Sequence, residues 1–203
     1  MSGSAAGQPA QASVPSNWNV PNALTVLRIV MVPVFGWLLL AQGGHDAEMR
    51  WAALVVFIAA MITDSLDGYI ARSRNLITDF GKIADPIADK ALTGMAFIGL
   101  SIIGVLWWWV TIVILVREWG ITVMRFFVIR YGVMPAGRGG KLKTVLQTVA
   151  LAILIVPVGG VVRGVGIAVT AAALVVTVAT GVEYVLQARA LVAGSRAGGG
   201  SAA

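Results

Sequence analysis

The stretch DSLDGYIARSRNLITDFGKIADPIAD, residues 64 to 89, sets four aspartates, a lysine and two arginines into a chain dominated by Val, Ile, Leu and Ala. Asp64 and Asp67 are three residues apart, and Asp85 and Asp89 are four apart. At helical spacing each pair shares one face. The connection between the pairs is short, so the two helices must be antiparallel neighbours and the four carboxylates can converge. Gathered near a lipid-compatible core they cannot all ionise unaided, because like charges and burial both oppose it. A hard divalent cation relieves both problems, since Mg²⁺ takes carboxylates together with substrate phosphates. Two such ions, bridged by shared carboxylates, would polarise a phosphate and activate an oxygen nucleophile. The plainer reading makes these acids helix caps, or partners of Arg72, Lys82 and Lys90. It suits one or two aspartates at helix ends. It does not suit four, half of them inside a span, where acids are functional by default.

Small and cationic residues surround the acids. Gly68 follows Asp67 directly and Gly81 lies four before Asp85. Glycine lets a ligand approach the backbone, although close helix packing explains either one alone. Arg72 stands one turn past Gly68 and can fork onto phosphate oxygens, or simply snorkel to the interface. Pro86 can sit in the first turn of its helix or kink it.

Three other stretches carry polar groups at helical spacing. NVPNALTVLR sets Asn22, Thr25 and Arg28 three apart on one stripe. VREWGITVMR sets Glu118, Thr122 and Arg125 on one face with Arg117 beside it, and GRGGKLKTVLQ gathers Arg138, Lys141, Lys143, Thr144 and Gln147. Each has an ordinary alternative: Arg28 as an interface anchor, Arg117 paired with Glu118, the lysines serving topology alone. Arg117, about ten residues into a span, is poorly explained as an idle cation. Together these cations exceed what one pyrophosphate needs, which points to a second substrate carrying its own phosphate.

The elements that must position these groups follow from composition. Of 203 residues 58% are hydrophobic and 12% charged, with mean hydropathy +0.87, against roughly 25% charged in soluble domains. This is the profile of an integral membrane protein. No cysteine is present, so disulfides and thiolate metal sites are excluded. The net charge of +6 suits an anionic leaflet or phosphate-bearing substrates; with no soluble basic domain, nucleic acid is not an expected partner. At about 20 apolar residues per crossing, six spans are expected: 23–41, 51–70, 83–105, 107–129, 144–162 and 165–186. Residues 1–17 and 193–203 read as flexible tails flanking one catalytic domain, 18–192, with an amphipathic segment around Trp18 on the membrane surface. Arg50 and Arg163 fall on one side, and Arg72, Arg74, Lys82, Arg130, Arg138, Lys141, Lys143, Arg189 and Arg196 on the other. The richer side, with both termini, is then cytoplasmic. Trp37, Trp51, Trp107, Trp108 and Trp109 fall at the opposite interface, as an aromatic belt would. The expected fold is all-α: six transmembrane helices around a polar cavity open to the cytoplasm, in the plasma membrane.

The pattern Asp64-x2-Asp67-Gly68-x2-Ala71-Arg72-x8-Gly81-x3-Asp85-x3-Asp89 resembles the signature of the CDP-alcohol phosphotransferases, with every fixed position matched. The resemblance implies transfer of a phosphatidyl group from a CDP-linked lipid to an alcohol, with release of CMP and a requirement for Mg²⁺ or Mn²⁺, two ions in all. It implies that Asp64, Asp67 and Asp85 hold the metals on the pyrophosphate. Asp89 would be the general base and also reach a metal. Gly68, Ala71 and Gly81 would line the cytidine pocket, and Arg72 would grip a phosphate. The stretches REWGITVMR and GKLKT are similar to those of bacterial, particularly actinobacterial, phosphatidylglycerophosphate synthases within that family. That likeness implies CDP-diacylglycerol as donor, sn-glycerol 3-phosphate as acceptor and Thr25, Arg28, Arg117, Arg125, Lys141 and Lys143 as candidates for the acceptor phosphate. Inositol phosphate is the rival acceptor, being a phosphorylated alcohol too. Members of the family are commonly homodimers among membrane lipids. A divalent-cation transporter with an acidic ring would use the aspartates but leave Arg72, Gly81 and the cationic cluster idle.

Overall fold

A computed structural model describes residues 19–73, 78–128 and 138–198. The tails before residue 19 and after 198, with the segment around Trp18, lie outside the described residues, as do the side chains of Ala71, Arg72, Lys82 and Arg138. All regular structure among the described residues is helical: α1 (Val20–Leu40), a short 3-10 turn (Ala41–Gly44), α2 (Ala47–Ser73), α3 (Asp79–Ile102), α4 (Trp108–Val128), α5 (Arg138–Ile155) and α6 (Val161–Gly198).

Local chemistry sets the helix ends. Asn19 caps α1 by accepting from the Asn22 N–H at 2.9 Å, with proline in the first turn. Asp46 accepts from the N–H groups of Glu48 and Met49 at the start of α2. Thr78 caps α3 by accepting from the Gly81 N–H at 3.1 Å. Pro86 then falls inside α3 and not in its first turn, so no N–H is available there for the carbonyl four residues back. The fifth helix begins at Arg138 and ends at Ile155, both ahead of the apolar window 144–162. Its early end has a clear cause: Pro157 cannot continue the ladder, and Gly160 turns the chain at φ +61°. The sixth helix continues through residues 193–198.

Packing puts α1 against α2 and α3, α5 against α6, and α4 against α6. Phe35, Phe57, Leu92, Phe97, Leu100, Ile114, Leu151 and Ile155 form a buried core. The rings of Phe35 and Phe57 stand 5.7 Å apart at 41°, a tilted aromatic contact. The outside is apolar too: Val26, Val55, Ile62, Val116 and Val175 are all exposed. So large an apolar outer surface suits lipid and not water. Segments Val20–Gly44, Ala47–Ile70 and Val161–Leu191 are long and apolar enough to cross a membrane. The other three helices carry charge instead: Asp85, Asp89 and Lys90 on α3, Arg117, Glu118 and Arg125 on α4, Arg138, Lys141 and Lys143 on α5.

One end of the bundle is tied by two arginines. Arg50 at the start of α2 donates to the carbonyls of Leu154 (2.7 Å), Ile155 (3.1 Å) and Val156 (3.2 Å) at the end of α5. Arg163 at the start of α6 donates to the Gly104 carbonyl at 2.9 Å, just past α3. These are carbonyls that a helix end leaves without partners. They bring the α1–α2, α3–α4 and α5–α6 connections to the same end. Trp37, Trp51, Trp107, Trp108 and Trp109 lie toward this end and are all exposed, which fits a belt and not core packing. Asp64 lies about 25 Å along α2 from its start at Ala47, at 1.5 Å per residue.

Candidate active site

The first helix presents one buried polar stripe, and each of its members touches the acidic segment. Asn22 accepts a hydrogen bond from the Thr78 hydroxyl at 3.0 Å, the hydroxyl that also caps Gly81. A Cβ on Gly81 would stand 3.0 Å from Asn22 Oδ1 and 3.3 Å from Thr78 Oγ1, so the close approach of α1 to α3 requires glycine here. One turn on, Thr25 donates to Asp85 Oδ1 at 2.5 Å. A further turn on, Arg28, only 1% exposed, reaches Asp64 Oδ1 through Nη1 at 2.6 Å and Asp67 Oδ2 through Nη2. Thr25 and Arg28, expected beside the acceptor cations, thus belong to the acid side.

The four acids are close neighbours. Asp67 is 3% exposed, and Asp64, Asp85 and Asp89 are half-buried. Asp67 lies within electrostatic reach of Asp64 and Asp85, and Asp89 within reach of Asp64. Among the described residues no three acids or histidines close on one point as a finished metal cage. Asp64 and Asp67 nevertheless address one cation together, since a single guanidinium bridges them. Oxygen-only, anionic donors suit a hard divalent ion, and Mg²⁺ needs only one or two carboxylates when substrate phosphates complete its shell. The donor set therefore fits such an ion. Gly68 follows Asp67, and Ala71 and Arg72 lie near the end of α2.

A second polar region is a cavity of about 450 Å³ lined by Lys90, Arg117, Glu118, Thr122, Arg125, Lys141, Lys143 and Tyr184. Five of these are cationic and one is acidic, which makes the cavity suited to a phosphate. Glu118 Oε1 accepts from Lys143 Nζ and, at 3.2 Å, from Arg117 Nη1. It neutralises part of the charge and holds two cations from α4 and α5 at one point.

Asp89 and Lys90 join the two regions. Lys90 lines the basic cavity. Its neighbour Asp89 lies within electrostatic reach of Asp64 and Arg28 and also of Glu118 and Lys143. A carboxylate in that position feels both the acid cluster and the charged groups of the basic cavity.

Sequence reasoning missed the Asn22–Thr78 contact and the polar face of α6, where Arg117 donates to the Thr177 carbonyl and the Thr180 hydroxyl. A signal was present: Thr177, Thr180 and Tyr184 repeat at helical spacing inside an otherwise apolar span.

An all-helical architecture with an apolar exterior, an acid cluster and a basic cavity has the chemistry of a membrane protein that handles phosphates. Residues 18–182 match the model of the CDP-alcohol phosphatidyltransferases, and the chain belongs to that family. It is 50% identical over 178 residues to a probable phosphatidylglycerophosphate synthase of Mycobacterium tuberculosis, spanning 88% of this chain and 85% of the relative. It is 37% identical over 148 residues to a CDP-diacylglycerol–glycerol-3-phosphate 3-phosphatidyltransferase of Bacillus subtilis, spanning 68% and 77% of the two chains. An enzyme of the same description from Rickettsia typhi is 44% identical over 138 residues, spanning 68% and 76%.

Proposed function

We infer that this chain transfers the phosphatidyl group of CDP-diacylglycerol to sn-glycerol 3-phosphate, giving phosphatidylglycerophosphate and CMP. The observation that carries the reading is that Asp89 lies within electrostatic reach both of Asp64 in the acid cluster and of Glu118 and Lys143 in the basic cavity. The relatives described as phosphatidylglycerophosphate synthases and glycerol-3-phosphate phosphatidyltransferases support the choice of substrates.

In the proposed reaction the acceptor's phosphate rests among Arg117, Arg125, Lys141 and Lys143. Its free primary hydroxyl is then presented at the β-phosphorus of the donor. The hydroxyl proton passes to the Asp89 carboxylate as the new P–O bond forms, and the bond to the CMP phosphate breaks. A positioned carboxylate contributes about 10²–10⁴-fold in such a step. Asp64, Asp67, Asp85 and Asp89 are the residues that would hold Mg²⁺ or Mn²⁺, two ions in the full proposal. The chemistry such ions supply when bound is neutralisation of charge on the pyrophosphate. Gly68, Ala71 and Gly81 border the cytidine and Arg72 takes a donor phosphate. Arg28 bridges Asp64 and Asp67, and Thr25 orients Asp85.

The proposal includes six membrane crossings, with the catalytic domain spanning residues 18–192, short tails at either end, and the site and both termini on the cytoplasmic face of the plasma membrane. The uncharged runs 91–102 of α3, 108–116 of α4 and 148–155 of α5 support this. The assembly proposed is a homodimer.

The test is an acceptor panel. Purified protein in detergent is given CDP-diacylglycerol and Mg²⁺ with glycerol 3-phosphate, inositol phosphate, inositol or serine, and CMP release is followed. Release with glycerol 3-phosphate alone is expected. Activity with inositol phosphate and none with glycerol 3-phosphate would overturn the assignment.

A further inference from the structure

We propose that one face of α6, formed by Thr177, Thr180, Gly181 and Tyr184, positions the two arginines that receive the acceptor's phosphate, a role that rests on the acceptor cavity proposed above. These residues follow the i, i+3, i+4, i+7 spacing of a single helical face. Thr177, Thr180, Gly181 and Tyr184 are all buried.

The face holds Arg117 of α4 at three places. Nε donates to the Thr177 carbonyl at 3.1 Å, and Nη2 donates to the Thr180 hydroxyl at 2.7 Å. That hydroxyl gives its own proton to the Val176 carbonyl, also at 2.7 Å, so its lone pair is turned toward the guanidinium. Gly181 supplies room for the stem: a Cβ there would stand 3.2 Å from Arg117 Cγ and 3.5 Å from Nε. With Nη1 on Glu118, three of the five guanidinium N–H groups are committed to protein, and the proposal leaves two for a phosphate. A free arginine side chain on a helix samples many rotamers. Here its plane is fixed before any anion arrives, and such preorganisation is where binding gains are made.

Tyr184, one turn further on, serves the second arginine. Its ring centre lies 4.6 Å from the Arg125 guanidinium carbon and 5.9 Å from that of Arg117. Both fall within cation–π range. One aromatic ring therefore contacts two cations that would otherwise repel each other, and all three side chains line the cavity. Gln147 of α5 donates to the Thr177 hydroxyl at 3.0 Å, which ties the helix bearing Lys141 and Lys143 to the same face.

Thr177, Thr180 and Gly181 do not line the cavity and act through Arg117, so they are positioning residues, whereas Tyr184 stands in the cavity wall itself; the signature is a KM-against-kcat split. Thr180→Val, Gly181→Ala and Tyr184→Leu should each raise KM for glycerol 3-phosphate roughly tenfold, the order of one hydrogen bond to a charged group. KM for CDP-diacylglycerol and kcat should stay within about twofold. Thr180→Ser and Tyr184→Phe, which keep the hydroxyl and the ring face, should behave as wild type. In an Arg117→Ala background, Thr180→Val should add nothing further. If Arg117→Ala and Lys143→Ala leave KM for glycerol 3-phosphate unchanged, the acceptor cavity itself is misassigned. If those two raise it while Thr180→Val and Tyr184→Leu do not, only the α6 role falls. Equal losses in kcat and in both KM values, or failure of Thr180→Ser and Tyr184→Phe to restore the wild-type pattern, would make the face merely structural and overturn the proposal. Should Thr180→Val not survive purification, Gly181→Ala in wild-type and Arg117→Ala backgrounds separates the same outcomes.

Discussion

Thr25 on the first helix donates a 2.5 Å hydrogen bond to Asp85 on the third, sixty residues away in sequence. No acid of the motif lies on α1, yet α1 orients the motif. Thr25→Val keeps the volume and removes the donor. A hydrogen bond to a charged group is worth about 1.5–3 kcal/mol, so a fall in kcat/KM of roughly ten- to a hundredfold is expected in the CMP-release assay, with recovery in Thr25→Ser.

Arg28→Gln should damage folding. The change leaves Asp67 buried without its counter-charge, and breaking a buried pair by deleting one partner costs about 3–5 kcal/mol. Thermal unfolding in detergent should show a large fall in Tm. An unchanged Tm would mean the bridge to Asp64 and Asp67 contributes little.

Asp89→Asn removes the proposed proton acceptor and changes shape little. Turnover should fall by about 10²-fold or more, while binding of CDP-diacylglycerol, followed by equilibrium binding, stays within a few-fold of wild type. Full turnover in this variant would remove Asp89 from the chemistry.

Chelation separates the acid cluster from the basic cavity. Excess EDTA should abolish CMP release, and added Mg²⁺ should restore it. Asp67→Asn should raise the Mg²⁺ concentration needed for half-maximal rate, whereas Lys143→Met should leave it unchanged and raise KM for glycerol 3-phosphate instead.

Arg50→Ala deletes three bonds to carbonyls at the end of α5. Leaving such groups without donors costs about 1–3 kcal/mol. A lower Tm with unaltered KM for both substrates is expected, because the site lies toward the other end of the bundle.

Much of this was legible in the sequence. The spacing of Asp64, Asp67, Asp85 and Asp89 announced the acid cluster, and low charge with long apolar runs announced helices facing lipid. The stripe Asn22, Thr25, Arg28 was legible as a stripe, but not its partners: periodicity tells which side chains share a face and says nothing of what that face meets. Arg28 and Arg117 illustrate the gap. Arg28 is buried and Arg117 half-buried within largely apolar helices, yet one bridges two aspartates and the other rests on threonines of α6. The end of α5 was misjudged for a simpler reason. Apolar residues continue past Ile155, and hydropathy alone does not register that Pro157 has no N–H to give.

The arginines that grip carbonyls at the tryptophan-rich end act like the spine of a book. The far edge, where the polar residues gather, lacks those two ties. On the proposed topology, a two-tailed molecule with a water-loving head would enter and leave at that edge, away from the pinned connections.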